Sequence, residues 1–208
     1  MRAGIAADGA GREPGAGKAV ALVLAAGAGS RFGGAKQLAA LDGRPLLEHA
    51  LSAVAQAPGL DRSIVVLGAG AEDVLATVDL YGAEPVVCAG WAEGLSASLR
   101  AGIAAAGADT GAVVVVLGDQ PRIAPAAIAA VLGALRAGGC DAARASYHGR
   151  PGHPVALGPA LLARAAELRG DSGFGPLLRG THVRDVPCDE FGSADDVDTR
   201  SQLEAMQR

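Results

Sequence analysis

The sequence predicts an α/β fold: a three-layer, doubly wound and mostly parallel sheet of Rossmann-like type with helices on both faces. Two patterns predict it. Apolar runs of strand length alternate with segments whose apolar residues recur at helical spacing, which argues for crossover units joining parallel strands. The run Val113-Val114-Val115-Val116 is apolar on both pleat faces, as a central buried strand must be. A third feature, a glycine-rich loop directly after the first strand, says where such a sheet would work.

The elements follow in order. Residues 1–18 are glycine-rich, carry charges of both signs and lack periodicity, so they predict a disordered N-terminal extension, with a single domain over residues 19–208. A first strand is expected at Ala19 to Ala25, and a helix at Pro45 to Ala57, where Leu46, Leu47, Ala50, Leu51 and Val54 recur at helical spacing behind Pro45. The alternation then predicts strand Ser63 to Leu67, helix Glu72 to Val78, strand Pro85 to Cys88 and helix Leu95 to Ala105. Strand Ala112 to Leu117 and helix Pro125 to Ala137 complete the regular part. Beyond Gly139 the pattern loosens to short strands at Ala142 to Tyr147 and Val155 to Leu157, a helix at Pro159 to Leu168, and another near Gly175 to Leu178. A strand at His182 to Val186 and a tail helix from Asp198 to Met206, capped near Thr199 or Asp198, close the chain.

Composition narrows the function. The 208 residues are half hydrophobic and carry a net charge of −4, with no basic stripe and no aromatic-interleaved basic run of the kind that nucleic acid requires. Cys88, Cys140 and Cys188 are far apart and lack zinc-type spacing, which suits a reducing cytoplasm. The apolar run at Val20 to Ala26 is far short of the roughly 20 residues of a membrane span, and no signal-peptide pattern precedes it.

Two stretches carry the chemistry. Gly27-Ala28-Gly29-Ser30-Arg31-Phe32-Gly33 is Gly-x-Gly-x-x-x-Gly, one residue longer than the dinucleotide fingerprint and without the ending of a P-loop. Glycines let bare amides approach an anion, and Arg31 and Lys36 add fixed charge, although a surface turn in a glycine-rich protein would look similar. Leu117-Gly118-Asp119-Gln120-Pro121 follows the valine strand, so Asp119 would share a sheet edge with the loop. A carboxylate there suits Mg²⁺ beside substrate phosphates and equally suits a turn cap.

Leu24 to Leu38, Gly94 to Gly102 (Gly-Leu-Ser-Ala-Ser-Leu-Arg-Ala-Gly), Leu117 to Pro121, Gly152-His153-Pro154, Gly170-Asp171-Ser172-Gly173 and Asp196-Val197-Asp198-Thr199 together resemble the MobA-like nucleotidyltransferases. Within them they are most similar to the molybdenum cofactor cytidylyltransferase branch, and the resemblance spans Val20 to Leu203. It implies transfer of CMP from CTP to a phosphorylated acceptor of the molybdopterin type, with Mg²⁺ and release of pyrophosphate. Ala26, Gly27, Ala28, Gly29 and Ser30, with Arg31 and Lys36, would hold the triphosphate, and Asp119 and Asp198 the metal. Arg31, Lys36 and Asp119 would be the catalytic set.

By the same resemblance, Ser96 and Ser98 would face base and ribose, replacing a Gly-Pro-Leu type motif associated with the guanylyltransferase branch; as residues they could equally cap a helix. His153 and Asp171 would border the acceptor, against plainer roles in packing and capping, and Trp91 would wall the cleft. Asp196 is the alternative metal ligand if the register slips by two, and the whole Asp195, Asp196 and Asp198 cluster could instead be a solvated face. Rival functions are the same chemistry with GTP or another acceptor, an NAD(P)H-dependent oxidoreductase resembling nicotine blue oxidoreductase, and a molybdenum cofactor chaperone serving a molybdoenzyme.

Overall fold

In the computed structural model, which describes residues 17–193 and 195–207, the valine run forms the middle of a seven-stranded sheet. The chain enters it through β1 (Lys18–Ala25), makes a two-stranded ribbon of β2 (Ala40–Leu41) and β3 (Arg44–Pro45), and continues into α1 (Leu46–Gln56). Then come β4 (Arg62–Leu67), α2 (Ala71–Thr77), β5 (Glu84–Val87), α3 (Leu95–Ala106), β6 (Thr110–Leu117) and α4 (Pro125–Arg136). The remainder is β7 (Ala142–Tyr147), β8 (Arg150–Leu157), α5 (Pro159–Leu162), α6 (Gly175–Leu178), β9 (Val183–Pro187) and α7 (Arg200–Met206). Of the expected N-terminal extension, Lys18 already belongs to β1, and residues 1–16 lie outside the described residues.

The sheet order is β5-β4-β1-β6-β8-β7-β9. From β1 the chain steps outward through β4 and β5, all parallel, then returns to place β6 on the other side of β1. That reversal opens a crevice at the carboxyl ends of β1 and β6, where open α/β sheets bind ligands. Alternating residues of each strand face opposite layers. Ala21, Val23, Val114 and Val116 pack with Leu47, Leu51, Ile128 and Leu132 on one face. Leu22, Leu24, Val113 and Val115 pack with Leu99, Leu161 and Leu177 on the other. All four valines are at most 3% exposed, and each contributes about 1.5–3 kcal/mol through burial.

The second half departs from the expected pattern. β8 runs from Arg150 rather than Val155 and lies antiparallel between β6 and β7. His148 and Gly149, with φ of 51° and 73°, make the tight turn that forces this hairpin. Pro151 and Pro154 hide the strand's first half from a pattern search, and the ladder is irregular opposite them, between Arg144 and Ser146. The helix expected over Pro159 to Leu168 breaks after Leu162 and resumes as a short 3-10 turn, Ala165–Glu167. There the Arg100 guanidinium donates to the Leu168 carbonyl at 2.6 Å. Thr199 caps α7 through a capping box with Gln202.

Candidate active site

β1 ends in a loop that folds back on itself. The Gly29 carbonyl accepts from the amides of Phe32 (2.9 Å), Gly33 (3.0 Å) and Gly34 (3.4 Å). Gly29 has φ of 63°, and a Cβ there would run into the Gly34 carbonyl, so only glycine closes the turn. Among the described residues, no amide from Gly27 to Arg31 donates to another group. These free donors line a cleft of about 550 Å³ together with Arg31, Lys36, Asp119, Asp171 and Asp198.

Two residues outside the expected set hold the loop. Gln37 is only 7% exposed, and its Nε2 donates to the carbonyls of Ala25 (2.9 Å) and Gly27 (2.8 Å), bracing both sides of the bend. Its signal was present in the sequence as an amide beside Lys36, yet nothing in the pattern marks it as buried. Phe32 is buried with Leu41, Leu46, Val197 and Leu203, and the Arg200 guanidinium sits 5.1 Å above its ring, so the loop is tied to the C-terminal segment.

Opposite the amides, Lys36 Nζ lies 2.6 Å from Asp119 Oδ2 and 3.2 Å from Asp198 Oδ1. Arg31 reaches Asp198 Oδ2 at 2.9 Å from a largely exposed position, a pairing that contributes little to stability and leaves the guanidinium available. The C-terminal segment is registered against this strand end, since the Val197 amide donates to the Asp119 carbonyl at 3.0 Å. Asp198 therefore faces the cleft, whereas Asp196 accepts from Gln120 Nε2 at 2.7 Å and lines the neighbouring cavity. Partial burial raises the Asp196 carboxyl above its ordinary value, and the nearby Asp119 and Asp198 carboxylates add to this against the Gln120 bond.

Two converging carboxylates already hold a cation, the Lys36 ammonium, so this donor set fits a hard divalent ion. Among the described residues no three acidic, His or Cys side chains converge, which leaves the rest of any metal's coordination to water and substrate oxygens.

The remaining predicted residues are distributed around this centre. Asp171 lines the cleft, and no side chain caps α6, so it is not the cap of that helix. Behind it Gly94, at φ 107°, leaves no room for a Cβ, which would lie 2.5 Å from Asp171 Oδ1. Ser96 and Ser98 are buried at the start of α3 and do not cap it; the Ser96 hydroxyl accepts from Arg100, and neither serine lines the cleft. Trp91 packs over Gly68 and the α3-side core, also outside the cleft lining. His153 sits between two further cavities, and burial pushes it down to about 4 against the pull of Asp119, so its ring is neutral.

Residues 21–186 match the model of the MobA-like NTP transferase domain. The chain belongs to the MobA-like NTP transferases. This MobA-like chain is 34% identical over 191 residues to nicotine blue oxidoreductase of Paenarthrobacter nicotinovorans, covering 88% of itself and 93% of that protein. It is 32% identical over 196 residues to the molybdenum cofactor guanylyltransferase of Acidiphilium cryptum, covering 90% and 93%. Among solved structures, Rv0371c from Mycobacterium tuberculosis superposes with a TM-score of 0.81 at 32% identity, over 92% of this chain and 98% of that one. Rv0371c has also been solved in complex with manganese. The MobA-like fold, a mostly parallel sheet between helical layers, is thus shared with nucleotidyltransferases, and the chain is a nucleotidyltransferase-family enzyme.

Proposed function

We propose that this protein is a cytidylyltransferase that joins CMP, from CTP, to the phosphate of a molybdopterin-type cofactor in the cytoplasm, with residues 19–208 acting as one domain. The observation that carries the reading is the Lys36 ammonium bridging Asp119 and Asp198 opposite the unpaired amides of Gly27 to Arg31. Amides from 26 to 30 cradle the triphosphate, with Arg31 and Lys36 neutralising its charge. Asp119 and Asp198 hold Mg²⁺, which when bound adds Lewis-acid stabilisation of the same phosphates. An oxygen of the acceptor phosphate attacks the α-phosphorus as the bond to the β-phosphate oxygen breaks and pyrophosphate leaves. The acceptor is already anionic at neutral pH, so the residues align and neutralise rather than abstract a proton.

The start of α3 faces the base, and Ser96 and Ser98, buried behind it, fix that segment's shape. Asp171 and His153 border the acceptor. Purified protein with Mg²⁺, molybdopterin-type cofactor and each NTP in turn should release pyrophosphate and form the cytidine dinucleotide fastest. Equal rates with GTP refute the base assignment; no product with any NTP refutes the transferase reading.

A second reading, an NAD(P)H-dependent oxidoreductase, is favoured by one observation, the 34% identity to nicotine blue oxidoreductase over nearly its whole length. Consumption of NAD(P)H with a quinone-like acceptor, without pyrophosphate release from any NTP, would select it.

A further inference from the structure

A loop from the other half of the chain, residues 168–173, lies across the first turn of α3. The Ser96 amide donates to the Gly170 carbonyl at 3.1 Å, so the two segments share a backbone bond. Gly94 is packed so tightly against the loop that a Cβ there would lie 2.6 Å from the carbonyl carbon of Gly170. Asp171, the next residue, lines the nucleotide cleft. The base-facing start of α3 and the Asp171 side of the cleft are thus two edges of one ledge.

Arg100 holds that ledge from the α3 side. It sits one turn along the helix from Ser96, and its side chain is 32% exposed. Its Nη1 donates to the Leu168 carbonyl at 2.6 Å and to the Ser96 hydroxyl at 3.2 Å, and its Nη2 lies 3.5 Å from Glu93 Oε2. The Glu93 carboxylate is largely exposed, so that pair adds little. The bond to Leu168 matters more. Leu168 leaves the 3-10 turn Ala165–Glu167 with extended backbone, and its carbonyl accepts from side chains. Arg169 also donates to it at 2.8 Å, but from within the same loop; among the described residues, Arg100 is the side chain whose hydrogen bond ties the loop to α3. A lysine ammonium would end one bond short of Nη1 and could not meet both acceptors as the guanidinium does.

We infer that Arg100 is a positioning residue for nucleotide selectivity: it fixes the opening of α3 against the Asp171 loop and so sets how sharply the cleft tells one base from another. Arg100 does not line the cleft and acts through the ledge alone. The triphosphate half of the site is independent of it, because Gln37, Phe32 and the C-terminal segment hold the glycine loop there. The inference rests on the transferase reading but not on which base the enzyme prefers.

Arg100→Ala removes the guanidinium and leaves a good helix former in its place. Wild type and variant are titrated with Mg-CTP, Mg-GTP and Mg-tripolyphosphate, and turnover is followed with each NTP and molybdopterin-type cofactor. The variant should raise KM for the preferred nucleotide by about 5–10-fold and lower the discrimination between CTP and GTP in kcat/KM to match, with kcat and tripolyphosphate affinity within about twofold of wild type. Millimolar guanidinium should restore part of that discrimination. Being a denaturant, it would deepen a defect that was only one of folding. Arg100→Lys should fall between wild type and Arg100→Ala. Wild-type discrimination in either variant, tripolyphosphate affinity lost in step with that for CTP, or no recovery with guanidinium overturns the inference and leaves the transferase reading standing. A wild type that releases pyrophosphate from no NTP overturns both.

Discussion

Lys36 does two jobs that a substitution separates. Its side chain is 13% exposed, and its ammonium keeps two carboxylates, Asp119 and Asp198, from repelling each other across the cleft. Lys36→Met should lower kcat/KM for the nucleotide by about 10²–10³-fold, the loss typical of removing one preorganised charge partner, while circular dichroism stays native. Asp119→Asn should cost as much and should also abolish the dependence of rate on divalent metal, which Lys36→Met retains; equal metal titrations in the two would refute the split. Gln37 acts through the loop rather than on substrate. Gln37→Leu should raise KM for the nucleotide about tenfold with a smaller change in kcat, because two carbonyls lose a shared donor and the free amides lose their alignment. His153 behaves differently with pH. Its folded value of about 4 lies below the usual 6.5, so as pH falls through that window the unfolded chain takes up a proton that the folded chain refuses. Stability is thus lost between pH 6.5 and 4, by about 1–3 kcal/mol, and His153→Gln should flatten that part of the urea-denaturation profile.

At the scale of the element, α7 is short, and its capping box sits immediately after a proposed metal ligand. The Thr199 hydroxyl accepts from the Gln202 amide, and Gln202 Oε1 accepts from the amides of Asp198 and Thr199. Thr199→Ala should therefore cost about 1 kcal/mol of stability and, by loosening Asp198, raise the metal concentration needed for half-maximal rate. A thermal melt that drops with no change in the metal titration would confine Thr199 to a structural role. The same scale explains what the sequence could convey. The valine strand and the helices behind it were legible because both faces of one and a single stripe of the others are apolar, a local property. β8 was legible only from Val155 onward, where it pairs with both β6 and β7; its first residues pair with β7 alone and carry two prolines. The loop's glycines, Lys36 and Asp119 could be read from spacing, since each acts from a strand end. Gln37 and Arg100 could not, because what singles them out is the carbonyl each one reaches, and that is decided by how separate segments pack.

For the whole molecule, the decisive feature is the reversal of strand order between β1 and β6, which brings residues far apart in the chain, Gly27 to Lys36 and Asp198, to one crevice. The C-terminal segment is held there by Val197, Leu203, the Arg200–Phe32 contact and a backbone bond to Asp119, together with the ion pairs of Asp198 and the Gln120–Asp196 bond. Nucleotide bound between the loop and that segment would link the chain's ends, so binding should be visible as global stabilisation. At a hundredfold excess over its dissociation constant a ligand adds about 2.7 kcal/mol, which for a chain of this length raises the melting temperature by roughly 5–10 °C. Mg-CTP should give that shift and equimolar Mg-GTP a smaller one, because only the base differs. Chelating the metal should remove most of the CTP shift in wild type and change little in Asp119→Asn, where the metal's contribution is already gone. Equal shifts for the two nucleotides would mean that the crevice reads triphosphate and metal alone, and that the segment opening α3 does not discriminate the base.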